Sequence, residues 1–294
     1  MSRFGIQAFS LNNVQYGGVS GFQFDAGSQV DTGGLDGVQY ETMHHETALK
    51  PMAEITTRNL KAVIAALNGS TDLPQLTFDG TNGLLLVGGK SASGTPGYAS
   101  GSVHYARRML RGLIYMAGVS WSLGGKAEMT LKAIAKGDGT GTDAPVAKTL
   151  VALPTPPTPD FGFTLSALTI NGVSIPSPNS VNISIEPNYE QEYLGGLPVP
   201  TDITGAGARK EMSITMTVDT GDVDIGEGTG VCSVVFKRYA QGGGLGTDTV
   251  TFTFNSRWSS EQSSGGGTNS PMSKSLLIRT RWDGTTKPLT WATA

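Results

Sequence analysis

Apolar and polar residues alternate along most of this chain, and the alternation predicts short strands. Thr249-Val250-Thr251-Phe252-Thr253-Phe254 is the plainest run; strict period-two patterning places every second side chain on one face of a sheet. Similar patterning predicts strands near 7–14, 19–26, 51–56, 74–79, 83–88, 103–108, 111–122 and 126–135. Further strands are expected near 164–170, 181–186, 210–218 and 276–280. The stretch 103–117 fits a strand or a helix. One segment has helical spacing: Leu60, Val63, Ile64 and Leu67, with Thr56 or Thr57 as a cap and Asn68-Gly69 as a stop, predicts a helix over 57–67. Val231 to Ala240 is a weaker helix candidate. Long connections remain at 31–50, 89–101, 188–209 and 259–272; loops of that length inside compact domains are usually functional or disordered.

The pattern occurs twice. Phe9-Ser10-Leu11-Asn12-Asn13-Val14 returns as Leu168-Thr169-Ile170-Asn171-Gly172-Val173, a repeat of about 160 residues. Phe22-Gln23-Phe24 matches the alternating run from Val181 to Ile185, Gly33-Gly34-Leu35 matches Gly195-Gly196-Leu197, and Ile55-Thr56 matches Ile214-Thr215. Asp138-Gly139 with Pro145-Val146 matches Asp283-Gly284 with Pro288-Leu289. Five matches in one order predict two copies of a β-rich module. The module boundary falls in Leu153-Pro154-Thr155-Pro156-Pro157-Thr158-Pro159, a stretch poor in donors that favours extended geometry. The expected organisation is a first module over 1–152, a linker over 153–160 and a second module over 161–294.

Composition agrees with this organisation. Charged residues are 15% and glycines number 41, a balance that suits short strands and turns better than helices. Net charge is −3, which disfavours a phosphate-neutralising surface while leaving room for a local patch. Residues 1–152 hold 12 Lys+Arg against 11 Asp+Glu, and residues 153–294 hold 9 against 13, so the acidity lies in the second half. Cys232 is the one cysteine; an intrachain disulfide is impossible and its valine-rich neighbours predict a buried thiol. Neither a signal-peptide h-region nor an 18-residue apolar run is present, so no membrane insertion is expected.

Chemistry is hard to find. His44 and His45 are adjacent, which on a strand sends them to opposite faces; with Glu41 and Glu46 they suit a solvated loop better than a metal site. Asp222, Asp224 and Glu227 sit among glycines as a polar turn. Nucleophile-elbow, zincin and P-loop spacings are absent. No catalytic, cofactor-binding or metal-ligating residue is nominated, and no enzyme is expected. Trp121, Trp258, Trp282 and Trp291 are scattered along the chain and suit core or subunit packing. The unexplained apolar positions lie in two loops that occupy equivalent places: Leu35, Val38 and Tyr40 in the first, and Tyr189, Tyr193, Leu194, Leu197 and Val199 in the second. Apolar loop residues of this kind predict a surface covered by another subunit or ring, with an ordinary lid over the module's own core as the alternative.

The strands 7–26, loop 31–50, helix 57–67 and closing Asp138-Gly139-Thr140, repeated as 164–186, 188–209 and Asp283-Gly284-Thr285, resemble the tail tube proteins of long-tailed bacteriophages. That resemblance implies a mainly β fold of two tandem sandwich or barrel modules, each with long loops and at most one short helix. It implies a virion protein made in the host cytoplasm that self-assembles into stacked rings. A trimeric ring of fused pairs is favoured over a hexamer, enclosing a tape-measure protein and later double-stranded DNA. Other phage structural parts (a capsid decoration or a tail terminator) and a two-module carbohydrate-binding or adhesion protein are the competing readings.

Overall fold

The computed structural model describes residues 4–25, 27–33, 43–67, 73–80, 83–90, 103–138, 146–150, 162–187, 189–194, 197, 199–204, 213–220, 225–264, 273–281 and 285–294. The linker segment 153–160 and the loop residues Leu35, Val38 and Tyr40 lie outside them. The protein is mainly β, with antiparallel ladders throughout and one helix among the described residues.

In the first half the strands are β1 (Phe4–Leu11), β2 (Val14–Tyr16), β3 (Val19–Asp25), β4 (Ser28–Gly33), β5 (Met43–Leu49) and β6 (Met52–Thr57). Helix α1 (Leu60–Ala66) precedes β7 (Gln75–Phe78), β8 (Leu84–Lys90), β9 (Val103–Met109), β10 (Arg111–Ser122), β11 (Glu128–Lys136) and β12 (Val146–Leu150). The second half contains β13 (Phe163–Ile170), β14 (Val173–Ser174), β15 (Pro178–Glu186), β16 (Glu190–Glu192), β17 (Asp202–Thr204) and β18 (Ser213–Thr220). It closes with β19 (Gly228–Tyr239), β20 (Leu245–Ser264), β21 (Ser273–Thr280) and β22 (Leu289–Thr293).

The stretch 103–117 holds strands β9 and β10, parted at Leu110, as the strand reading expects. Other expectations need correction. The helix expected over 231–240 is strand β19: Cys232, Val234 and Phe236 are buried in alternation and Val231 is exposed, so β-branched packing overrides a short helical spacing. Stretches 31–50 and 188–209 are not plain loops but contain the hairpins β4–β5 and β16–β17. Helix α1 is capped by neither threonine. Its N-cap is Asn59, whose side chain makes no capping bond, while Thr57 is a buried strand end that accepts from the Asn59 N–H at 3.2 Å.

The two halves share one ladder plan. The first runs β2-β1-β8-β9-β12 in one layer and β10-β11-β6-β3 in the other. The second runs β14-β13-β19-β20-β22, then β20-β21-β18-β15, so the long β20 serves where the first half uses β9 and β10. Irregularities coincide as well. Both opening hairpins turn on two residues with positive φ, Asn12-Asn13 and Asn171-Gly172, the geometry that matches strand twist in a tight hairpin. Register shifts at Ile6/Ala8, Val19/Gly21 and Met116/Gly118 fall at the same ladder places as Leu165/Ala167, Pro178/Ser180 and Ser260/Gln262. A bulge bends its strand and re-aims side chains, and three of these irregularities coincide between the halves. Among the described residues the halves differ between β6 and β8, where the first carries α1 and β7 and the second has no counterpart.

One hydrophobic core runs through both halves. Phe9, Leu86 and Met109 meet Ile55, Leu131 and α1's Leu60 and Ile64, and the cluster continues to Val181, Phe236, Phe252 and Phe254. Cys232 is buried within it, its thiol pushed up by burial, and accepts from the Ser256 hydroxyl at 3.1 Å. Helix α1 also reaches the second half: Lys61 meets Asp248 at 2.7 Å, and Arg238 meets the same carboxylate at 3.2 Å. Hydrogen bonds from these two cations hold the Asp248 carboxyl below its usual range. A lowered folded-state pKa stabilises above the unfolded pKa and is lost as pH falls through the folded one. Asp248→Asn is therefore expected to cost about 0.5–1 kcal/mol near neutral pH, the size of a partly exposed ion pair. The deficit should vanish at a pH below the ordinary aspartate range; urea unfolding of both proteins across pH checks this.

Candidate assembly surface

The halves are joined strand to strand. β10, at one end of the first half's order, pairs with β15, at the opposite end of the second half's: Gly118 opposite Ser184, Ser120 opposite Asn182, Ser122 opposite Ser180. This makes one run of eight strands, β3-β6-β11-β10-β15-β18-β21-β20. Gly118 is needed here, since a Cβ on it would lie 2.4 Å from the Ile183 carbonyl across the joint. Beside the joint, the Leu123 N–H donates to the Asn179 carbonyl at 2.8 Å and the Ala127 N–H to the Phe163 carbonyl at 2.7 Å. Trp121 is buried there and donates from Nε1 to Thr164 Oγ1 at 3.0 Å and to the Gly125 carbonyl at 3.1 Å.

One face of the eight-strand run packs on the core; the other is polar beside the joint. Alternation puts Glu54, Thr130, Lys132, Ser120, Asn182 and Ser184 on that second face, where they line a depression of about 270 Å³ over the joint. Charges of both signs occur together, with Arg58 paired to Glu128 at 2.7 Å at its margin. Short hydroxyl and amide side chains between opposed charges leave no continuous phosphate-binding stripe among these residues.

At one end of this face the hairpin β16–β17 lies over the first half. Tyr189 stacks edge-on against Tyr115, ring centroids 4.9 Å apart, and donates from its hydroxyl to Gln75 Oε1. Tyr189 and Ile203 cover the buried cluster of Leu113, Tyr115 and Ile134. Burial raises both phenols, Tyr115 to about 12 with the charge of Glu54 contributing. Around this small core, Gln191 Nε2 donates to the Ala135 carbonyl at 2.9 Å, Lys136 meets Asp202 at 3.0 Å and the Tyr193 hydroxyl donates to the Leu49 carbonyl at 2.9 Å. Val199 is buried, and a Cβ on Gly137 would meet its Cγ1 at 2.7 Å. Of the apolar residues singled out in 188–209, Tyr189 and Val199 are thus covered by the other half of the same chain. Tyr193 is half-anchored there, Leu197 is partly buried and Leu194 is exposed. The joint itself was not visible in sequence, because Ser120, Ser122 and Asn182 carry no motif; the nearest signal is the alternation of the two strands.

Among the described residues, no set of three or more His, Cys, Asp or Glu side chains is placed to hold a metal ion, and no helix is long and apolar enough to cross a membrane. No family model matches the chain and no curated protein matches it.

Proposed function

We propose that the chain is a structural subunit of a bacteriophage tail tube, built as two copies of one module and polymerising into stacked rings that conduct double-stranded DNA. The observation that carries this reading is the head-to-tail joint β10·β15. It uses one edge of the first half and the opposite kind of edge of the second. Each chain therefore ends in the complementary pair. Among the described residues, β3 is bonded only to β6, and from Ser259 to Ser264 β20 has β21 on one flank and no strand on the other. Unpaired edges template further pairing. Like halves meeting by a heterologous contact form a closed ring when the rotation closes. Two modules per chain then favour three chains in a ring with pseudo-sixfold symmetry. The polar face of mixed charge would line the bore, where a continuous basic surface would retard DNA through counterion release. Electron microscopy of the purified full chain and of native particles tests the reading: rings or hollow tubes are expected, and a monodisperse monomer at all concentrations, or one that binds glycan, overturns it.

A further inference from the structure

We infer that Phe22 and Phe24 of one copy are the apolar anchor of the joint between copies, packed against the end of β20 in a neighbouring copy; this rests on the self-assembly reading. Both rings lie against the core and are partly buried, while Gln23 between them is exposed. The Arg107 guanidinium lies over the Phe24 ring, 5.6 Å from its centroid, which helps hold the ring in place. On the ladders, Phe22 stands opposite Ile55 and Phe24 opposite Ala53, as Val181 stands opposite Val218 and Ile183 opposite Met216. Val181 and Ile183 are fully buried where β10 pairs with their strand. Among the described residues β3 has no such strand beside it, and its two rings keep part of their surface.

The two joints differ in which strand carries the bulk. Inside the chain, Trp121 and Val119 of β10 stand directly opposite Val181 and Ile183. On β20, Ser263 stands opposite Lys274 as Val119 stands opposite Met129, so Ser263 would face Phe24 across the joint between copies. Directly opposed residues of an antiparallel pair share a face and pack on each other. Past Ser264 the sequence reads Gly265-Gly266-Gly267, which offers no ring in the role of Trp121. The larger partner has therefore moved to the other strand: Val119 with Ile183 inside the chain becomes Ser263 with Phe24 between copies, a pair of comparable total volume. Close-packed interiors disfavour a void and an excess alike, so a side chain enlarged on one edge and reduced on the other marks two edges that meet. At the neighbouring position Gln262 holds the place of Gly118, whose missing Cβ admits the Ile183 carbonyl. The joint between copies lacks that close approach, and its contact falls more heavily on the two aromatic rings, a residue type enriched at interfaces.

The test uses the full chain and follows assembly by light scattering as concentration rises. Phe24→Ala is expected to raise the concentration needed for assembly about tenfold or more, the loss typical of a buried interface anchor. Ser263→Phe sets a second ring against the first and is expected to weaken assembly by overpacking. Phe24→Ala/Ser263→Phe returns one ring to each joint from the opposite strand and should recover most of the loss. Damage to folding alone would accumulate in the combined variant, whereas a direct contact makes the two changes offset each other. Phe22→Ala should also weaken assembly, and Ser263→Phe should not rescue it, because Ser263 faces Phe24. Assembly of the Phe24→Ala chain at the wild-type concentration overturns the inference, as does a combined Phe24→Ala/Ser263→Phe chain no better than either single variant, or equal rescue at Phe22. A wild-type chain that never assembles fails the tail-tube reading itself, whereas these outcomes in an assembling chain bear on the two rings alone.

Discussion

A Gln23→Cys/Ser264→Cys chain is expected to form disulfides between copies under mild oxidation, giving a ladder of covalent oligomers that ends at a closed ring of three. The positions come from the internal joint. On the ladders, Gln23 stands opposite Glu54 as Asn182 stands opposite Thr217, and Ser264 stands opposite Ser273 as Ser120 stands opposite Glu128. Ser120 faces Asn182 directly across β10·β15, so Ser264 of one copy should face Gln23 of the next. Directly opposed residues of antiparallel strands lie about 4.5–5.5 Å apart at Cα, within the range a disulfide spans. A Ser120→Cys/Asn182→Cys chain supplies the control: the same local geometry should close a bond within one chain and leave it a monomer on a denaturing gel. Single-cysteine chains should give neither product, because Cys232 is buried. If the Gln23/Ser264 chain assembles yet yields no covalent oligomer while the control closes, the edges do not meet in this register.

Gln23 and Ser264 are matched through ladder correspondences that were partly legible in the sequence. Leu11 and Ile170, and Phe22 and Val181, occupy matching ladder places, as the apolar pattern and turn dipeptides indicate; strict alternation and turn chemistry are local, so they survive divergence. The Ile55-Thr56 match with Ile214-Thr215 is displaced. Ile55 lies opposite Leu131 and Val218 opposite Leu276, so Val218 is the true counterpart of Ile55. The error arose because β-rich segments offer many Ile-Thr pairs and hairpins of different length precede the two strands. Residues 231–240 misled for another reason: Val231, Val234 and Val235 have helical spacing, but the long ladder to β20 fixes them as strand. The seat of Leu113, Tyr115 and Ile134 could not be read from sequence. Cross-strand partners far apart in the chain are set by register, and no composition signal reports register.

Trp121 is the residue whose loss should damage the chain most. It lies on β10 opposite Val181 of β15, so it belongs to the joint, and its ring is buried in the common core. Its indole N–H is shared between Thr164 of β13 and the Gly125 carbonyl. One side chain thereby ties the joint to a strand of the second half's other layer. Trp121→Ala removes the ring and leaves a cavity between elements that are far apart in sequence, which is expected to cost about 3–5 kcal/mol. Trp121→Phe keeps most of the packing but deprives Thr164 of its donor; a buried polar group left without its partner costs about 1–3 kcal/mol. The order expected in urea unfolding is wild type, then Phe, then Ala. The Ala chain should also be cut by protease at lower denaturant than wild type, because loosening β10·β15 exposes backbone that the ladder protects. An Ala variant within about 1 kcal/mol of wild type would mean that the surrounding strands collapse onto the vacated volume, since the cost of a large-to-small change depends on how far its site can relax. In that case the two halves would be held by the backbone ladder and by the hairpin β16–β17 over Tyr115, and the weight of the joint would shift from Trp121 to Tyr189.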